Sequence, residues 1–234
     1  MAERPIFVPV PDSPELVKEV LIRLVWNPGF APIQKKKNVA ALHASAAAAG
    51  YSPLLEISTK SEEKLGQRLS AFSLKVHNDR LGEIPLEAAF QGSKVFEHGG
   101  PFIDLYTVGD PRDAKRDMRL KESGRLKGFQ FEGLCFPLEP KTAFYDWLYI
   151  GALYEHRDWL RSRISRYAGF TDIEFNPERS INCQARSCAL LVTLMKNNWL
   201  DEAVSSPEAF IRLLSSRPYR PDHSHDVQEA MVRR

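Results

Sequence analysis

Cysteine is scarce in this chain of 234 residues, and the few copies form no familiar pattern. Cys135, Cys183 and Cys188 are the only cysteines, and no two of them make a C-x-x-C pair. An odd number of isolated cysteines argues against a complete disulfide framework. We therefore expect the protein to work in a reducing compartment.

Long apolar segments and a strong net charge are missing as well. No apolar run approaches the roughly 18 residues that cross a bilayer, and no apolar segment follows a basic N-terminus. We therefore expect a cytoplasmic protein without a membrane partner. The formal net charge is only +2, so any anion must be bound by a local patch rather than attracted by the whole molecule.

The common cofactor and hydrolase signatures are absent too. The sequence has no Walker loop and no G-x-G-x-x-G, H-E-x-x-H or G-x-S-x-G pattern. His223 and His225 have no third metal ligand near them in the sequence, and they fall in a tail, residues 218–234, that we expect to be mobile. We therefore predict no metal site and no cofactor.

The sequence does contain a polar stripe in residues 85–98. Glu87, Gln91, Lys94 and His98 recur at helical spacing, so one helix ending near Gly99 would carry all four on the same face. Spacing alone favours a solvated helix surface, because such charge pairs are common and contribute only a few tenths of a kcal/mol. The alternative is a site that places an acid, an amide and an amine together.

A second polar cluster lies upstream, in a turn that follows a predicted strand at residues 54–57. Ser58, Lys60 and Ser61 bring hydroxyls and an ammonium, which suit phosphate and ribose oxygens. An ordinary turn explains the same residues.

Further upstream, the apolar spacing of residues 16–24 behind a proline and an early acid predicts a helix.

A third cluster lies near the C-terminus, where an acidic loop with Asp172 leads into a predicted apolar helix. Asn182 and Gln184 stand at the entrance of that helix, and free backbone N–H groups at such an entrance form a ready anion site. Between the second and third clusters, residues 110–121 mix acids and bases. Arg119 and Lys115 in this segment are candidates for contacts to phosphate, although such a mixture is more typical of a solvated surface.

The order and content of these clusters resemble the NADAR, or YbiA-like, N-glycosidases. That family has a Ser-Glu-His-x-Phe-Gln-x-x-Lys helix, and residues 86–94 look like it, keeping Glu87, Phe90, Gln91 and Lys94. Leu86 and Ala88 replace the family's serine and histidine. Leu69-Ser70-Ala71-Phe72 is similar to the family's Phe-Ser-Asn-Phe-like segment, and residues 172–191 resemble a divergent version of its C-terminal block.

The departures from the family pattern resemble those of NADAR antitoxins paired with DarT-type toxins, which place ADP-ribose on guanine in DNA. The resemblance implies an ADP-ribosyl glycohydrolase that releases ADP-ribose from guanine in DNA, single-stranded DNA included, with a cognate toxin encoded in the same operon. It also implies a YbiA-like α+β fold, predominantly helical, in a single domain with a few short strands. We expect an N-terminal extension over residues 1–53 packed on the core, and a glycohydrolase domain over 54–217 with an insertion around 97–141.

The resemblance also implies roles for individual residues. Glu87 would stabilise the positive charge that develops on the ribose or activate water. Lys94 would protonate the leaving base, hold a phosphate or attack the opened sugar as an amine, and Asp172 would be a second carboxylate. The residues expected to bind substrate are Ser58, Lys60, Ser61, Ser70, Phe72, Gln91, Arg119, Asn182 and Gln184.

Two other functions fit the same sequence. One is a NADAR hydrolase of a phosphorylated ribosylamine-type metabolite, which needs the same Glu87 site but no DNA. The other is a noncatalytic module that binds ADP-ribose or nucleic acid, for which the replacement of the family's histidine by Ala88 is the best argument.

Overall fold

A computed structural model describes residues 1–216 of the chain, so the predicted mobile tail and both of its histidines lie outside the described residues. In chain order the elements are β1 (Ala2–Pro9), β2 (Val17–Leu24), α1 (Pro32–Ala48), β3 (Leu54–Glu56), α2 (Lys64–Arg68), β4 (Lys75–Asn78), β5 (Gly82–Pro85), α3 (Leu86–Gly92), β6 (Lys94–Phe96), a 3₁₀ helix (Ile103–Thr107), α4 (Pro111–Arg116), α5 (Arg119–Glu122), β7 (Leu126–Phe131), β8 (Leu134–Phe136), α6 (Ala143–Tyr154), α7 (Arg157–Ile164), β9 (Gly169–Thr171), α8 (Gln184–Lys196), α9 (Leu200–Ser205) and α10 (Pro207–Ser215). This mixture, with more residues in helices than in strands, confirms the predicted α+β class.

The described chain divides into two compact units, each assembled from separate stretches of sequence. The first unit comprises Met1–Ser70, His156–Phe175 and Cys183–Leu200, and the second comprises Ala71–Glu155, Asn176–Asn182 and the residues from Asp201 onward. The domain limits expected from the sequence, at residues 53 and 217, stay predictions.

The first unit is organised around a four-stranded sheet in the order β2-β1-β9-β3. β1 pairs antiparallel with both β2 and β9, whereas β9 and β3 run parallel. α8 is buried from Gln184 to Met195 and packs against β1 and β9, in agreement with the predicted apolar helix. The parallel pairing places the carboxyl ends of β3 and β9 at the same edge of the sheet, where open sheets commonly bind ligands.

The helix predicted over residues 16–24 is wrong, because this segment forms strand β2. It pairs with β1 along its whole length, from Pro9 opposite Val17 to Ala2 opposite Leu24. Ile22 and Leu24 are buried while Arg23 between them is exposed, which is the alternation of a strand with one covered face. Long-range pairing with β1 outweighs the helical spacing of the apolar residues.

The second unit contains the β4–β5 hairpin, the sheet β6-β7-β8 and helix α6. The hairpin delivers the chain directly into α3, since β5 ends at Pro85 and α3 begins at Leu86. An aromatic core fixes α3 against the sheet and α6. The Phe90 ring lies 5.5 Å from Phe129, 6.1 Å from Phe144 and 5.2 Å from Tyr145, measured between ring centroids.

Candidate active site

α3 is shorter than the sequence predicted. It ends at Gly92 instead of continuing to His98, and Lys94 is already the first residue of strand β6. Gly92 lies so close to the 3₁₀ helix that an added Cβ would be 2.6 Å from Tyr106 Cε1, so only glycine fits there. His98 is exposed and falls outside the polar stripe.

The remaining stripe residues form a continuous hydrogen-bonded chain inside the second unit. Gln91 Nε2 donates to Glu87 Oε1 at 2.9 Å, and Lys94 Nζ donates to Gln91 Oε1 at 2.6 Å. Glu87 is 3% exposed, and Gln91 and Lys94 are both fully buried. The solvated helix face that spacing alone favoured is therefore excluded, because acids and lysines are almost never buried to this degree unless paired.

Burial changes the ionisation of the Lys94 amine, which ends this hydrogen-bonded series. Loss of water around Lys94 lowers the pKa of Lys94 to about 7, and the positive charge of Lys115 acts in the same direction while Glu87 opposes it. The amine also lies over the Phe90 ring, with Nζ 5.0 Å from its centroid. A lysine with a pKa near neutrality supplies both an ammonium and a neutral, nucleophilic amine at physiological pH.

The Glu87 end of this hydrogen-bonded series lies against α4, and there it reaches solvent. Lys115 Nζ lies 3.6 Å from Glu87 Oε1, and its side chain is 26% exposed. The Phe72 ring stands beside this ion pair, with Lys115 Nζ 5.5 Å and Arg112 Cζ 5.8 Å from its centroid. Phe72 is exposed, so the surface next to Glu87 offers an aromatic ring and two cations.

Arg119 and Asn182, two further predicted ligands, also belong to the second unit. The Arg119 guanidinium is already held by Asp104 at 2.6 Å and by Asp117 at 2.9 Å, so two carboxylates neutralise it. Asn182 is buried beside the aromatic core, and its Oδ1 accepts no hydrogen bond from any residue in the described range. Buried acceptors are nearly always satisfied, so this oxygen is an unusual feature of the second unit, and substrate binding by Asn182 stays a prediction.

Three other predicted residues meet in the first unit. Gln184 Nε2 donates to Asp172 Oδ2 at 3.0 Å, and Ser70 Oγ donates to Gln184 Oε1 at 3.3 Å. All three side chains are buried. Gln184 is the first residue of α8, so the helix entrance singled out in the sequence does carry a polar group joined to the acidic loop. The roles of these residues in binding or catalysis stay predictions.

The turn after β3 is held together by its own hydrogen bonds. The Ser61 amide donates to the Ser58 carbonyl at 3.1 Å, and the Ser61 carbonyl accepts from Gln67 Nε2 at 2.7 Å. Lys60 Nζ donates to the neighbouring Thr59 hydroxyl at 3.1 Å. These contacts are those of an ordinary turn, and substrate binding by Ser58, Lys60 and Ser61 stays a prediction.

Glu56 is the residue of this region that the sequence reasoning missed. Its carboxylate is buried and accepts hydrogen bonds from Ser58 Oγ at 2.6 Å, Thr171 Oγ1 at 2.6 Å and the Ile173 amide at 2.9 Å. It thereby ties together the loops that follow the parallel strands β3 and β9. The signal in the sequence is an acid closing the apolar strand Leu54–Glu56, since a charged residue in a buried strand needs partners.

Burial and the nearby Asp172 charge raise the pKa of Glu56 from 4.5 to about 7. The folded state thus binds this proton more tightly than the unfolded chain does. Protonation of Glu56 therefore contributes to the free energy of unfolding in full below pH 4.5, and this contribution is lost as the pH rises to about 7. We expect the free energy of unfolding in urea to fall between pH 4.5 and about 7 for wild type relative to Glu56→Gln, which has no carboxyl group to titrate at this position. Parallel pH profiles for the two proteins would contradict the raised pKa.

Comparison with known families agrees with this structure. The family model described as DarT1-associated NADAR antitoxin matches residues 2–224. Because the match covers nearly the whole chain, the protein belongs to the NADAR proteins. Its particular family is that of the NADAR antitoxins associated with DarT1, which confirms the resemblance seen in the sequence. No curated protein matches the chain. Within residues 1–216, no helix has the length and apolarity needed to span a bilayer.

Proposed function

We propose that this antitoxin is an N-glycosidase that removes ADP-ribose from guanine bases in DNA and so reverses the action of a DarT-type toxin in the cytoplasm. The observation that carries the proposal is the buried chain Glu87–Gln91–Lys94, which combines a carboxylate with an amine of pKa about 7. Membership of the DarT1-associated family supports the nature of the substrate.

Glu87 supplies the electrostatic part of the reaction. Cleavage of an N-glycosidic bond builds positive charge on the ribose carbon that carries the base, and a fixed carboxylate in a poorly hydrated site stabilises that charge. Gln91 keeps the carboxylate in place through its amide N–H. Lys115 pairs with Glu87 in the free protein and is positioned to transfer its contact to a substrate phosphate.

Lys94 acts as the nucleophilic amine rather than as a phosphate contact, since a phosphate contact is best made by a permanently charged ammonium, whereas an amine with a pKa of about 7 is partly neutral at physiological pH. The amine attacks the ribose carbon bonded to the base nitrogen, that C–N bond and the ring C–O bond break, and a Schiff base forms. The two amine protons pass to the base nitrogen and to the ring oxygen. Water then hydrolyses the Schiff base to release ADP-ribose and restore the amine.

Phe72 and Arg112 complete the surface that receives the substrate. An exposed aromatic ring stacks on the face of a base, and a guanidinium suits a diphosphate. Asn182, with its unsatisfied oxygen, accepts a hydrogen bond from a substrate hydroxyl or amino group. The predicted roles of Asp172 and Arg119 are not needed for these steps.

The pH dependence of the chemical step reports on Lys94. Because only the neutral amine is nucleophilic, we expect the single-turnover rate to rise about tenfold per pH unit below neutrality and to level off above pH 7. If Lys94 were instead the general acid, the rate would fall as the pH rises through the same value. Rapid-quench measurements across this range distinguish the two profiles.

The substrate is tested by comparing two reactions under the same conditions. One contains DNA with ADP-ribosylated guanine, and the other contains a phosphorylated ribosylamine-type metabolite. We expect a much higher kcat/KM for the modified DNA. A preference for the metabolite would assign the protein to housekeeping hydrolysis, and tight binding of ADP-ribose without turnover of either compound would make it a binding module.

A further inference from the structure

The first unit carries a basic groove that plays no part in the proposed chemistry. This arginine groove is a cavity of about 330 Å³ lined by Leu65, Arg68, Trp159, Ser162, Arg163 and Arg166. Its volume lies at the lower end of the range of roughly 300–1,000 Å³ typical of small-ligand pockets. With a formal net charge of only +2 for the whole chain, a site with three arginines is a local concentration of positive charge.

The sequence of α7 explains how the groove is built. Leu160 and Ile164 are buried and anchor the helix, while residues 159, 162 and 163 recur at helical spacing on another face, and Arg166 follows in the turn after the helix ends. Arg68 comes from a different element, the last turn of α2. Two elements therefore converge on the groove, which an ordinary solvated helix face does not require.

Two of the three arginines lack an acidic partner in the part of the chain that the structure describes. Arg163 donates only to neutral oxygens, the Trp159 carbonyl and the Ser162 hydroxyl, and Arg68 makes no hydrogen bond or ion pair there. Arg166 is partly compensated, since its Nη2 lies 3.7 Å from Glu63. Uncompensated guanidiniums beside a hydroxyl are the groups that bind phosphate oxygens.

Trp159 gives the groove an exposed aromatic surface. The residue is 43% exposed, and the Arg163 guanidinium lies over its ring, with Cζ 4.3 Å from the centroid. A tryptophan left open to solvent among arginines is a stacking platform for an unpaired base, whose faces are accessible only outside a duplex. An acidic protein surface would need the arginines but not the exposed ring.

We infer that the arginine groove binds single-stranded DNA, with Arg68, Arg163 and Arg166 on the phosphates and Trp159 stacked on a base. The groove is independent of the reaction assigned to Glu87 and Lys94, because it recognises an unmodified strand. It would hold DNA onto the protein whether or not a modified guanine is present.

Binding of a fluorescent, unmodified thymidine oligonucleotide to the full chain, measured by anisotropy over a range of salt concentrations, tests this inference. Wild type is expected to show a slope of log affinity against log salt of about −2, since each phosphate contact on a single strand contributes about −0.7. The double variant Arg68→Ala/Arg163→Ala should bind at least about tenfold more weakly, with a slope near −0.7.

Trp159→Ala should weaken binding about fivefold or more with little change in slope, and Trp159→Phe should restore much of it, because stacking carries no charge. Arg23→Ala/Arg212→Ala, which removes two exposed arginines outside the groove, is the matched control and should bind like wild type. The oligonucleotide carries no ADP-ribose, so a failure of the proposed glycosidase reaction would leave this result intact.

Three outcomes would overturn the inference. The first is an unchanged affinity and salt slope in the arginine double variant. The second is an equal affinity of wild type for a duplex of the same length. The third is that the groove variants lose binding to the toxin while their binding to DNA is unchanged. The last result would identify the groove as a protein-binding surface. Circular dichroism of each variant shows whether a weaker affinity reflects unfolding.

Discussion

Replacement of Glu87 by glutamine is expected to reduce the release of ADP-ribose from modified guanine by about a thousandfold or more. The physical reason is the loss of the negative charge that stabilises the cationic transition state in a buried site. The substitution preserves the shape of the side chain, and the new amide oxygen can still accept the hydrogen bond from Gln91 Nε2. The rate is measured by single-turnover release of ADP-ribose from modified DNA.

Glu83→Gln is the matched control for this experiment. Glu83 lies in β5, a few residues before Glu87, and its exposed carboxylate lies 3.5 Å from His77 Nδ1. It should keep the wild-type rate and the wild-type free energy of unfolding. Full activity of Glu87→Gln beside a normal control would remove Glu87 from the mechanism, whatever the role of Lys94.

Lys94 variants are expected to lose activity to a similar extent. Lys94→Met keeps most of the volume of the side chain in the buried site but has no amine, so a loss of about a thousandfold is expected if the amine is the nucleophile. Lys94→Arg keeps a positive charge but cannot form a Schiff base, and it should be equally inactive. Lys75→Met, at an exposed lysine of β4, is the control and should react normally.

Chemical trapping separates an amine nucleophile from a simple contact. Sodium borohydride added during turnover reduces a Schiff base to a stable secondary amine, so wild type should carry an ADP-ribosyl adduct on the peptide that contains Lys94. The Lys94→Met protein should carry none. An active Lys94→Arg variant would contradict the Schiff base and favour a charge contact.

The local part of this site could be predicted from the sequence. Glu87, Gln91 and Lys94 are neighbours along the chain, so their spacing and the resemblance to one family motif are enough to group them. The spacing did not predict their burial, because burial depends on distant aromatic residues such as Phe129 and Phe144 that pack against Phe90. The end of α3 depends on the approach of Tyr106 to Gly92, which is another non-local contact.

The non-local part could not be predicted from a single sequence. Strand β2 has the apolar spacing of a helix, and only its pairing with β1 determines that it is a strand. Glu56 receives its hydrogen bonds from Thr171 and Ile173, more than a hundred residues away, through the parallel pairing of β3 and β9. No local pattern marks that pairing, so the partners of Glu56 could not be predicted, although the acid at the end of an apolar strand was a sign that it needed some.

Product analysis is the measurement that tests the central claim most directly. Single-stranded DNA carrying ADP-ribosylated guanine is incubated with the purified protein, and both the released small molecule and the DNA are identified by mass spectrometry. Cleavage at the bond between ribose and base predicts free ADP-ribose and unmodified guanine in equal amounts, with neither product formed by Glu87→Gln. Unaltered DNA, or DNA that keeps a phosphoribosyl remnant on the guanine, would contradict the account.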